Sequence, residues 1–125
     1  MKETLLFVGW GGTFPGREHT ALETYHEWIE LLEELKSKGE IDEFMTIQLA
    51  PHGGELDAFT LVFADQPKLF ELMGREEIAR LQRRAVREHA KFSVLPAFSG
   101  ELVEHEYKLL EEEVLPALER KPVVV

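Results

Sequence analysis

The sequence predicts an α+β fold, a four-stranded antiparallel sheet with helices on one face and an added C-terminal helix. Three observations carry this. Strand-like and helix-like segments alternate in the order strand, helix, strand, strand, helix, strand, which is the split βαβ arrangement. The two central strands alternate around a short Gly-containing corner, as a hairpin does. A further amphipathic segment follows the last strand.

Thr4 to Trp10, "TLLFVGW", is a short apolar run ending in glycines and reads as a buried strand. A loop with Gly11, Gly12, Pro15 and Gly16 leads into a helix from about Glu18 to Ser37. Leu22, Tyr25, Trp28, Ile29, Leu32 and Leu35 give that helix one apolar side, and Gly39 suits its C-terminal cap. From Ile41 to Leu49 the chain alternates, with Met45, Ile47 and Leu49 opposing Phe44, Thr46 and Gln48. After Pro51-His52-Gly53-Gly54, Phe59, Leu61 and Phe63 oppose Ala58, Thr60 and Val62. Pro67 opens a second helical region that breaks at Gly74 and resumes from Glu76 to about Ala90. "KFSVLPAFSG" is the fourth strand, and Pro96 marks it as an edge or a bulge. The last helix, about 102–119, carries Val103, Tyr107, Leu110, Val114 and Leu118 along one stripe.

A chain of 125 residues predicts one domain, 1–125, with its core at about 4–104. Hydrophobic residues at 44% and charged residues at 30% describe a globular rather than a disordered chain. A net charge of -10 opposes binding to nucleic acid or to an anionic membrane. The absence of cysteine removes disulfides, thiolate nucleophiles and Cys-based metal sites. No apolar run approaches the ~20 residues that span a bilayer, and the first residues lack a signal-peptide pattern, so a cytoplasmic location is expected. The absence of asparagine, with abundant Glu, Lys and Arg, is a composition seen in heat-adapted proteins.

The strands carry apolar residues on both faces, and helices on one side shield only one of them. A bare apolar sheet associates, so a homodimer with its sheets face to face is expected. This organisation, over roughly 4–104, resembles the dimeric α/β-barrel branch of ferredoxin-like proteins. Within it, "PHGGELDAF", "FADQPKLFEL" and "VLPAFSGELV" look like a group of small uncharacterised bacterial proteins, YCII-like, that share a Pro-His-Gly-Gly-acid-Leu corner. That group brings no established activity. Other relatives in the branch include cofactor-independent quinol-type monooxygenases, haem-degrading monooxygenases and muconolactone-type isomerases. The haem-degrading type relies on an Asn that this chain lacks, and none of these groups' catalytic residues match positions here.

Two readings are open for His52: a turn residue beside glycines that supply positive φ, or an acid/base group oriented by Glu55 or Asp57. The run "GWGGTFPGREH" matches neither dinucleotide-binding nor P-loop spacing; it reads as a strand-to-helix connection or as a small-anion site with Arg17. His19, Glu23 and His26 lie on the flank of the first helix, with ~10 Å of rise between the histidines, which reads as a solvated face and not as a metal site. Arg80, Arg83, Arg84 and Arg87 read as an outer face paired with Glu76, Glu77 and Glu88. His89 points toward the sheet, either as a core histidine bonded to a backbone carbonyl or Gln82, or as a titratable group lining a cavity.

The expectation is a pocket between sheet and helices for a small, mostly apolar or aromatic molecule, with Trp10, Phe14, Arg17 and His89 lining it and His52 at its rim. Its chemistry, if catalytic, is cofactor-free proton transfer by His52 or His89, with Arg17 steadying an anion. The alternative is a non-catalytic interaction dimer, using the acidic last helix and a "KPVVV" tail able to add a strand to a neighbour.

Overall fold

The structure, a computed structural model, describes residues 3–119. The valine tail, Val123 to Val125, lies outside the described residues, as does the side chain of Leu118. The elements are β1 (Thr4–Trp10), α1 (Glu18–Ser37), β2 (Glu43–Gln48), β3 (Ala58–Phe63), α2 (Gln66–Met73), α3 (Glu76–Glu88), β4 (Ser93–Phe98) and α4 (Glu101–Glu119). All strand pairs are antiparallel, in the order β2-β3-β1-β4. Among the described residues no helix is long and apolar enough to cross a membrane.

Register sorts the two faces. Leu6, Val8 and Trp10 align with Val62, Thr60 and Ala58, and these with Phe44, Thr46 and Gln48. This face meets the helices: Leu6, Val8 and Val62 pack with Trp28, Leu32 and Leu35 of α1, Leu69 and Leu72 of α2, and Ile78 of α3. The other face carries Phe7, Met45, Ile47, Phe59, Leu61 and Leu95. Phe7 and Phe59 stack there with ring centroids 5.3 Å apart. β4 is an edge strand, so the missing N–H of Pro96, opposite Leu6, interrupts only one ladder.

The helices end where the local chemistry ends them. Gly39, at φ 74°, closes α1: its N–H donates to Lys36 O, and that of Glu40 to Leu35 O, which satisfies carbonyls the helix leaves open. α2 and α3 are separate helices, and Arg75 between them forms a bidentate pair with Glu40 at 2.5 and 3.1 Å and a further bond to Glu71 at 2.7 Å. One guanidinium therefore ties the end of α1 to the α2–α3 junction. Hydrogen bonds from Arg75 hold the Glu40 and Glu71 carboxyls below the usual carboxylate range. Both values are lowered from 4.5, so the stabilisation is complete above 4.5 and is lost as the pH falls through the lower folded-state values. Thermal melts taken from neutrality down through that value will show the Tm falling, and Arg75→Met will flatten the fall over the same window. Equal slopes in the two proteins would remove this account.

One charged residue lies elsewhere than predicted. Glu88 is not part of the outer face with the arginines; it is 5% exposed, between α3 and α1. Arg84 pairs instead with Glu27 of α1, and Arg80 with Glu76.

Candidate functional site

A cavity of about 500 Å³ opens between the helix-facing side of the sheet and helices α1 and α3. This lies within the ~300–1,000 Å³ of small-molecule sites. Leu6, Val8, Trp28, Ile78, Leu81 and Phe92 supply apolar wall. Leu22 lines it too, which explains how a residue on the apolar stripe of α1 is 54% exposed.

Polar residues on the inner face of β2 mark the cavity floor. Trp28 Nε1 donates to Thr60 Oγ1 at 3.2 Å, and the Thr46 and Thr60 hydroxyls are 2.9 Å apart across the strands. Thr46 and Gln48 stand where a closed core would place apolar residues, and both line the cavity. That break in the pattern was the available sign of a cavity in the sequence.

One end is built by a strap between two loops. Gly11 N–H donates to Ala90 O at 2.7 Å, Ala90 N–H to Gly12 O at 2.9 Å, and Phe14 N–H to Glu88 O at 2.8 Å. Gly11 is buried, and a Cβ there would lie 2.5 Å from Glu55 O and 2.7 Å from Ala90 O. Only glycine lets these backbones close together. The strap fixes His89, the residue that ends α3 in extended conformation. Its Nδ1 lies 3.3 Å from Gly11 O and 3.5 Å from Thr13 Oγ1. A carbonyl only accepts, so Nδ1 carries the proton in this contact and Nε2 of the neutral ring is the acceptor nitrogen. The His89 ring stands 6.1 Å from Trp10, which meets Tyr25 edge-on at 6.0 Å. Trp10 Nε1, the Tyr25 hydroxyl and the Gln82 amide have no hydrogen-bond partner among the described residues and line the cavity.

The residues singled out from sequence divide. Trp10 and His89 line the cavity, and the two sequence readings of His89 meet, since it both bonds a carbonyl and faces the space. Phe14, Arg17 and His52 do not line it. Phe14 to Arg17 form a tight turn, with Gly16 at φ 84° and Arg17 N–H donating to Phe14 O at 3.0 Å, and this carries both side chains outward. His52 is exposed on the loop between β2 and β3, its Nδ1 donating to Ala50 O at 2.9 Å. Of the two corner glycines only Gly53 has positive φ, 79°; Gly54 instead leaves room for the His52 ring, 2.5 Å from where its Cβ would be. His19 pairs with Glu23 at 2.9 Å on the exposed face of α1. Among the described residues no group of three His, Asp or Glu side chains is placed to hold a metal ion.

Sequence reasoning missed Glu88. Its Oε2 is 2.9 Å from Thr24 Oγ1, whose single proton is also directed to Thr20 O at 3.0 Å, and its buried Oε1 has no partner among the described residues. Thr24 is itself a wall residue, so this carboxyl lies just behind the cavity.

No family model and no curated protein sequence matches the chain. Solved structures do. An ethyl tert-butyl ether d (EthD) family protein from Bacillus halodurans is similar with a TM-score of 0.57 and 11% identity, over 78% of this chain and 99% of that one. The fold is ferredoxin-like. A dimeric protein of unknown function and ferredoxin-like fold from Bacteroides fragilis is similar with a TM-score of 0.53 and 8% identity, over 77% and 96% of the two chains. At these identities the likeness concerns the ferredoxin-like fold.

Proposed function

We propose that this ferredoxin-like protein binds a small, mostly apolar, ring-containing molecule beneath α1 and α3, with His89 exchanging a proton or hydrogen bond with it. The observation that supports this is an open, apolar-walled cavity whose lining includes a strapped histidine, its Nδ1 held by the Gly11 carbonyl. The chemistry the residues allow without any cofactor is acid/base work at a carbon or hydroxyl. A thermal-shift panel of small quinols, lactones and aromatic compounds tests the reading. A ligand at one hundred times its Kd adds about 2.7 kcal/mol, which for a domain of this size raises the Tm on the order of 10 °C. His89→Phe is expected to weaken a hit by about tenfold to a hundredfold, since a buried donor on the ligand loses its acceptor. No shift with any compound would refute the proposal.

A second observation favours self-association. On the sheet face away from the helices Met45, Ile47 and Leu95 are 36%, 37% and 46% exposed, and α4 leaves Tyr107, Leu110 and Val114 exposed along one stripe. We read this surface as the contact of a homodimer, in line with the dimeric description of the Bacteroides structure. The same reading places the chain with the PHGG, YCII-like group of dimeric α/β barrels.

A further inference from the structure

The charge of the cavity wall says which ligands it admits. Among the described residues no Lys or Arg lines it, and the one charged residue that does is Glu18, in the first turn of α1. The nearby cations are engaged or turned away: Arg84 pairs with Glu27, and Arg17 is carried outward by the turn before α1. The whole chain adds a net charge of -10. A carboxylate entering here would leave water, meet no counter-ion and face a like charge. A ligand that donates finds the opposite. His89 Nε2, the Gln82 carbonyl and the Glu18 carboxylate accept, and Trp10, Tyr25 and Trp28 offer ring faces that favour a positive group.

We propose that the cavity selects ring compounds with a hydrogen-bond-donating head, a hydroxyl or an ammonium, and excludes carboxylates, with Glu18 contributing to the exclusion. This rests on the cavity being a binding site. It departs from the sequence expectation of an anion steadied by Arg17, since that side chain does not reach the cavity.

Three probes on one ring separate the possibilities: 2-naphthol, 2-naphthylmethylamine and 2-naphthoate, titrated calorimetrically into the full chain at neutral pH. The naphthol and the amine are expected to bind at least about tenfold more tightly than the naphthoate, since one missing ion partner in a poorly hydrated site exceeds 1.4 kcal/mol. Glu18→Lys is expected to tighten the naphthoate and weaken the amine, each by several-fold, and Glu18→Gln to fall between. Circular dichroism melts confirm that both variants fold. Naphthoate binding as tightly as the naphthol overturns the charge selection and leaves the cavity reading standing. A gap that Glu18→Lys leaves unchanged overturns the role given to Glu18. Failure of all three probes to bind overturns both readings.

Discussion

Replacing Ile47 and Leu95 together by glutamate will convert the proposed dimer into monomers. Both side chains are over a third exposed on the single chain, so the substitution leaves the folded monomer nearly undisturbed. They lie on the face whose register also presents Phe7, Phe59 and Leu61. A stable interface needs ~800 Å² from each partner, and an apolar sheet surface of this kind is what such a contact buries. Two-fold symmetry places four new carboxylates in the contact, each losing water without a counter-ion. At several kcal/mol per unpaired buried charge, the dimer Kd will rise by about a thousandfold or more. Sedimentation equilibrium decides it: the wild type at twice the 14.4 kDa chain mass and the variant at that mass. A wild type sedimenting as a single chain would end the dimer reading.

Gly11→Ala will be the most damaging single methyl in the loops. Its Cβ meets two backbone oxygens, of Glu55 and Ala90, at 2.5 and 2.7 Å, and neither can rotate away as a side chain would. Relief requires the loop after β1 to part from the strap before β4, which loosens the Gly11 to Ala90 hydrogen bond and the carbonyl that holds His89. Overpacking of this kind costs about 3 kcal/mol, on the order of 10 °C in Tm. Any compound bound as proposed in the cavity will bind more weakly, because His89 loses its fixed orientation. Gly12→Ala is the control: its Cβ meets only Asp57 Oδ2, at 3.9 Å, and stability will change little. Equal melting temperatures for Gly11→Ala and the wild type would show the strap to be slack.

Much of the fold was legible because its signals are local. Alternation in β2 and β3 named the residues of each face correctly, and the 3.6-residue spacing of α1 located Trp28, Leu32 and Leu35 in the core. Gly39 and Gly74 ended helices where expected. Part of the cavity lining was legible for the same reason: Trp10 ends a buried strand and His89 closes the inner side of α3. The rest was not. Phe14 and Arg17 were expected in the wall, but the direction of a Pro-Gly turn sets where they point. Glu88 has an arginine-rich neighbourhood in sequence, but its carboxyl meets Thr24, which the packing of α3 on α1 brings to it from 64 residues away.

The sequence by itself determined the order of the elements, the two faces of the sheet and the excess of apolar surface on one of them. Those properties follow from repeats of 2 and 3.6 residues, which any short window displays. Tertiary structure alone decided that Gly11 closes a strap beside the cavity and that His89 Nδ1 meets the Gly11 carbonyl. Each depends on a contact made across the chain, the last over 78 residues, and no local pattern encodes which backbone carbonyl a ring will meet.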